Sequence, residues 1–305
     1  MPARPTLTVG LPNFGSFFPL GDWHRFVDLA RVAEDAGVDR ITVVDHVVMG
    51  PNTDAYSWGK FPTPPDAPWL EPLTVLAAMA AVTTRIRLAT GILIAPLRPA
   101  VLLAKQAATL DVVSQGRLDL GVGTGWQREE YDAEGLDFAR RGQLLTDTIA
   151  ACKALWRDTP AALEAPTISF RDVYCDPKPV QPGGVPLWIG GALHKRNLDR
   201  LVRHGDAWIP IMGESVAGIA AGAEEARTAW RAAGRDPDGP QIQAPLRVAR
   251  GDDGRPDVAR SMESVGELLA AGATDIHVYF AAFCRDPADA PRVLDAVVTA
   301  FRAAT

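Results

Sequence analysis

The feature that most constrains this chain is a repeating alternation. Short apolar runs of strand character are followed, again and again, by stretches whose apolar residues recur at helical spacing. The first run, residues 7–11, closes on Pro12 and Asn13; Phe26, Leu29, Ala30, Val32 and Ala33 then mark a helix that stops at Gly37. Further strands are predicted over 38–44, 86–94, 117–122, 186–189, 207–211, 241–249 and 275–280. Helices are predicted over 72–82, 100–113, 144–156, 193–204, 216–233, 258–271 and 287–303. Strands separated by helices pair in parallel through right-handed crossovers, and eight such units in about 250 residues plus insertions is the arithmetic of an α/β fold, the (β/α)8 TIM barrel. An open doubly wound sheet is the main competitor. The even spread of helices, with no Gly-, Pro- or Ser-rich linker, favours one barrel domain over residues 1–305.

Two insertions exceed ordinary connections: residues 47–71 after strand 2 and 157–185 before strand 5. The first sets Tyr56, Trp58, Phe61 and Trp69 among Pro51, Pro62, Pro64, Pro65 and Pro68, a stiff aromatic loop suited to cover a binding site. The second includes a predicted small hairpin over 168–174.

Composition narrows the function classes. At 305 residues and 47% hydrophobic, the chain can bury a sizeable core. Its net charge of -6, with acids and bases interleaved, leaves no footprint for nucleic acid. No stretch approaches the roughly 20 apolar residues of a membrane span, and the start lacks the apolar core of a secretory signal. Cys152, Cys175 and Cys284 are far apart with no CxxC, so reduced thiols and a cytoplasmic location are expected. His24, His46, His194, His204 and His277 form no HxH or HExxH, and no GxSxG elbow exists. No metal is expected, and a bound organic cofactor becomes the natural source of reactivity.

Chemistry in such a barrel gathers at the C-terminal strand ends. There the chain offers Pro12, Asn13 and Phe14; Asp45 with His46; Thr90, Gly91 and Ile92; and residues 121–126, Gly-Val-Gly-Thr-Gly-Trp. Asp45 and His46 form a titratable pair able to exchange a proton near neutral pH, against the plainer reading of a His that only bonds its neighbours. Gly121, Gly123 and Gly125 strip side chains from a strand end, which lets a planar ring or phosphate approach the backbone. They do not make the dinucleotide fingerprint, because the third Gly falls too early. Gly190 and Gly191 read equally as a tight turn or as free amides for a phosphate at a helix start.

Residues 11–15 (Leu-Pro-Asn-Phe-Gly), Asp45-His46, 71–77, 90–93, 116–118, 121–126, 188–191 and 205–208 together resemble the luciferase-like monooxygenases, and most of all their F420-dependent oxidoreductase branch. The resemblance runs along nearly the whole chain. It implies a luciferase-like barrel that binds coenzyme F420, or alternatively FMN, over a bulge with a non-prolyl cis bond at Gly91-Ile92. It further implies that Asp45, His46, Thr90, Gly91, Ile92, Gly123, Gly125, Trp126, Gly190 and Gly191 bind the cofactor, with Asp45 and His46 handling a proton and Gly190-Gly191 the phosphate. One departure stands out: some F420-dependent dehydrogenases place a proton-donating Glu directly after the Gly-rich run, where this chain has Trp126. Glu129 and Glu130 lie just behind it, the general acid is left unassigned, and sugar-phosphate dehydrogenation is disfavoured.

Phe14, Trp58, Trp69 and Phe280 are candidates to line an apolar substrate pocket, each also readable as ordinary packing. The expected activity is F420-dependent hydride transfer to or from a small organic molecule. Its competitors are an FMN-dependent monooxygenase served by a separate reductase, and a non-catalytic flavin-binding protein. A homodimer is expected from the resemblance alone.

Overall fold

The computed structural model describes residues 4–236 and 239–305. In chain order its elements are β1 (Thr6–Gly10), α1 (Asp28–Ala36), β2 (Arg40–Val43), α2 (Pro72–Val82), β3 (Arg87–Ile94), α3 (Ala100–Val113), β4 (Leu118–Gly123), α4 (Arg128–Ala133) and α5 (Arg141–Arg157). There follow β5 (Ala161–Glu164), β6 (Ser169–Val173), β7 (Leu187–Gly190), α6 (Lys195–His204), β8 (Ala207–Ile209), α7 (Val216–Ala232), β9 (Gln241–Pro245), α8 (Val258–Met262), α9 (Val265–Ala270), β10 (Asp275–Tyr279) and α10 (Ala290–Ala304). Strands β1, β2, β3, β4, β7, β8, β9 and β10 close into a barrel in that order, β10 pairing back onto β1, and every ladder within it is parallel. The fold is a (β/α)8 barrel, with its two insertions where the alternation places them. No described helix is long and apolar enough to cross a membrane.

Local chemistry explains the element ends. Gly37 ends α1 in the left-handed region at φ 89°, which costs glycine little. Glu71 caps α2, its Oε2 accepting from the Thr74 amide at 2.7 Å, with Pro72 in the first turn where a missing N–H costs nothing. Strand β8 stops before Pro210 and β9 at Pro245, short of the predicted ends at 211 and 249, since proline cannot donate to a ladder. The single helix predicted over 258–271 is two pieces, α8 and α9, and the short α4 is an addition to the expected set. The second insertion forms an antiparallel hairpin of β5 and β6, beginning earlier than residue 168.

Neighbours in a parallel ladder point to the same side, so the registers define the inner face. It carries Thr8 and Gly10, Arg40 and Thr42, Ala89 and Gly91, Asp119 and Gly121, Trp188 and Gly190, Ile209, Gln243 and Pro245, and finally Asp275, His277 and Tyr279. The lower lumen is ionic. Arg40 pairs with Asp119 at 2.8 Å and Asp275 at 2.6 Å, Arg87 pairs with Asp119 at 2.6 Å, and the Arg40 guanidinium lies 4.3 Å from the Trp188 ring centre. Thr8 and Gln243 donate to the Asp275 carboxylate. Burial opposes the charge on Asp119, but Arg40 and Arg87 outweigh it and hold its carboxyl below the usual range. This polar plug closes the barrel below and leaves the upper rim for other uses.

Candidate active site

The residues after β2 carry two different tasks. Asp45, 4% exposed, accepts from the Ile94 amide at 2.8 Å and from both terminal nitrogens of Arg98 at 2.7 and 3.0 Å. Arg98 reaches on to Glu71 at 2.8 Å, so Asp45 ties β2 to the end of β3 and to the start of α2. The expectation that Asp45 exchanges protons is therefore corrected, because both of its oxygens are consumed by a bidentate arginine and a backbone amide. Asp45→Ala should lower stability by about 3–5 kcal/mol by leaving Arg98 largely buried beside Glu71 alone. Thermal unfolding checks this, and an unshifted transition would deny Asp45 its scaffold role.

His46 is differently placed. Its side chain is 8% exposed, and Nδ1 lies 3.0 Å from Glu130 Oε2; the Glu130 side chain is fully buried. The other Glu130 oxygen accepts from the Val47 amide at 2.9 Å. Helix α4 thus delivers a carboxylate that the sequence left without a partner. Sequence reasoning noted Glu130 behind Trp126 without giving it a role, and α4, which starts at Arg128, is what turns it toward His46.

Aromatic side chains enclose the imidazole. Phe61, Trp69 and Trp126 meet it edge to face, with ring centres at 5.6, 4.7 and 5.8 Å. Phe14 stacks on Trp69 at 4.2 Å, Gly15 donates to the Pro68 carbonyl, and Gly50 and Gln127 bond each other in both directions. The 47–71 loop is thereby pinned over the barrel rim. Of the predicted apolar lining, Trp69 stands beside His46 and Phe14 backs Trp69. Trp58 is 45% exposed and touches Tyr56 further out, whereas Phe280 is 1% exposed and packs edge-on against Phe17. Phe280 is a core residue, and its assignment to substrate is corrected on that ground.

The Gly91-Ile92 peptide is cis, and the β3–β4 pairing shifts register between Thr90 and Leu93, so the bulge lies where the resemblance puts it. Thr90 is buried, with its hydroxyl donating to the Gly121 carbonyl at 2.7 Å. The glycines do not expose bare backbone as anticipated. A Cβ on Gly123 would meet Ile92 at 2.9 Å, one on Gly190 would meet Ile92 at 2.6 Å, one on Gly125 would meet Ile94 at 2.9 Å, and one on Gly121 would meet the Thr90 carbonyl at 2.0 Å. These positions are slots that seat the bulge and its side chains. Gly191 donates its amide to the Ile209 carbonyl at 2.9 Å, which removes the free-amide reading for that residue and leaves the tight turn. Among the described residues no three His, Cys, Asp or Glu side chains converge as a metal site.

Known proteins share this architecture. The family model described as luciferase-like monooxygenase matches residues 6–288. An uncharacterized protein of Mycobacterium tuberculosis is 34% identical over 215 residues, 68% of this chain and 74% of that protein. An F420-dependent secondary alcohol dehydrogenase, solved in complex with an F420-acetone adduct, has a TM-score of 0.77 at 15% identity, covering 98% of this chain and 100% of that one. The monooxygenase RslO1 from Streptomyces bottropensis has a TM-score of 0.76 at 20% identity, covering 98% and 99%. At those identities the two structures speak for the fold. The family match runs from the start of β1 to just before α10 and takes in the bulge, the His46–Glu130 pair and the Gly-rich strand ends, and on it the chain belongs to the luciferase-like monooxygenase family.

Proposed function

We propose that this chain is a redox enzyme that binds a flavin-type ring, coenzyme F420 before FMN, and passes a hydride to or from a small, largely apolar organic molecule. The observation that carries the reading is the His46–Glu130 pair, enclosed by Phe61, Trp69 and Trp126 and following β2, the strand paired with the bulge-bearing β3. The mouth suits a planar group with one polar edge: Gly91 and Ile92 keep partly exposed surface, Trp126 is a half-buried apolar wall, and Thr42, His277 and Tyr279 are polar residues on the inner face. When bound, such a group supplies two-electron chemistry that no side chain here provides.

The residues of the chain then have definite work. Moving a hydride to or from a carbon that bears oxygen requires a proton to be added to, or taken from, that oxygen. His46, held at Nδ1 by Glu130, offers Nε2 as the atom that gives or takes it, and the Glu130 carboxylate fixes the orientation of the ring. The aromatic lid keeps water from the reacting atoms. The alcohol dehydrogenase that shares the fold supports this reading. The lid and the similarity to a monooxygenase favour a second one, an FMN-dependent, O2-using enzyme fed by a separate reductase.

Titration of the purified protein with F420 and, separately, with FMN separates them, with tryptophan fluorescence as the readout because Trp69 and Trp126 flank His46. Saturable quenching by F420 at lower concentration than by FMN is expected. The reverse order replaces hydride transfer by oxygen chemistry, and no binding of either ring withdraws both readings.

A further inference from the structure

The lumen beneath the mouth holds a polar corner that the His46–Glu130 pair does not use. His277 stands on the inner face of β10, in register with Thr8 of β1 and Pro245 of β9. Its Nε2 shares a hydrogen bond of 3.2 Å with Thr42 Oγ1 on β2. The ring spans the width of β1 only because residue 10 is glycine, since a Cβ there would stand 2.7 Å from Nε2. Thr42 in turn lies against the bulge, 3.2 Å from where a Gly91 Cβ would be. A continuous line of contact therefore joins His277, Thr42 and the Gly91-Ile92 peptide.

Exposure gives this line a purpose. A histidine pointing into a packed barrel is ordinarily sealed, yet His277 keeps partial exposure, as do Tyr279 one step higher on the same face and Gly91 and Ile92 across the lumen. Burial pushes the His277 pKa down against the pull of Asp275, so the imidazole is neutral at pH 7 and carries one donor and one acceptor. Across the lumen, β4 and β7 present Gly121 and Gly190 at the upper level, which have no side-chain donor or acceptor.

Flavin and deazaflavin rings share an asymmetry that meets this one. One end is a pyrimidinedione with carbonyl acceptors and an N–H donor, and the other is a carbocycle. A polar edge taken out of water must find partners or cost free energy, so it goes where they stand. We propose that His277, seated by Thr42 and Gly10, is a ring-binding residue that hydrogen-bonds the pyrimidinedione edge of a ring lying on the Gly91-Ile92 bulge, and thereby sets which edge enters the barrel. The inference rests on the reading that this mouth binds such a ring.

The test is equilibrium titration of wild type, His277→Ala, His277→Gln and Thr42→Val with FMN and with F420. It reads the dissociation constant and the visible absorption band of the bound ring, and thermal unfolding without ligand reports the fold. His277→Ala should weaken the ring that the wild type binds about three- to tenfold, the loss of one neutral hydrogen bond, and return the band toward its position in water. Thr42→Val, which frees the imidazole while leaving it in place, should weaken binding less, and His277→Gln should recover part of the loss. Unchanged affinity with an unchanged band in a folded His277→Ala protein overturns the proposal. If that variant does not fold, unchanged values in both Thr42→Val and His277→Gln overturn it equally. A wild type that binds neither ring fails the cofactor reading first, and this inference falls with it.

Discussion

His46→Ala is expected to lower kcat by roughly 10²- to 10⁴-fold, the range seen when a general acid–base is lost. Affinity for the bound ring should change far less, because the loss falls on the step in which the proton moves. The geometry also fixes a control. Glu130→Gln can keep the Val47 contact through its amide oxygen while removing the charge behind Nδ1, so it should cost less activity than removal of the imidazole. Stability needs separate attention, since His46→Ala leaves a buried Glu130 oxygen without its partner at a cost of about 1–3 kcal/mol. Both variants are therefore to be assayed well below their own unfolding transitions. Wild-type kcat in a folded His46→Ala enzyme would reduce the pair to a packing device.

A large effect on folding should come from the lower lumen. Arg40→Met leaves Asp275 with only neutral donors and Asp119 with Arg87, so a loss of about 3–5 kcal/mol is expected. At about 2–4 °C per kcal/mol for a chain of this general size, the thermal transition should fall by roughly 6–20 °C. Acid offers a second measurement. The folded Asp119 carboxyl titrates below its unfolded value of about 3.9, so its contribution is complete above that pH and is lost as pH falls toward the depressed folded value. Wild type should lose stability across that window, and Arg40→Met should lose less there, having already given up part of what holds Asp119 down. Equal acid slopes for the two proteins would show that the pairing does not set the acid limit.

Elements with a period were legible in the sequence, whereas partners were not. The barrel followed from strand–helix alternation because each strand is buried on both faces and each helix on one, and burial writes itself into hydrophobic spacing. Asp45 and His46 are adjacent and looked like one unit. Their roles diverge because Arg98, 53 residues on, takes the first and Glu130, 84 residues on, takes the second. His277 was read only as a histidine without metal-ligand spacing, and its bond to Thr42 spans 235 residues, a distance that only barrel closure removes. The glycines failed in another way. A sequence reports that Gly123 and Gly190 lack side chains, but not that Ile92 fills the space they leave.

That filling has a consequence for how such a protein changes over generations. Adding a side chain at residue 121, 123 or 190 drives it into the Thr90 carbonyl or into Ile92, so those positions can vary little without moving backbone. Ile92 is the opposite case, since trimming it to valine removes material from a ready-made recess at a cost of about 0.5–1.5 kcal/mol. Descendants of this chain can widen the room above the Gly91-Ile92 bulge one methyl group at a time at position 92, while the glycines that made the adjustment possible stay silent.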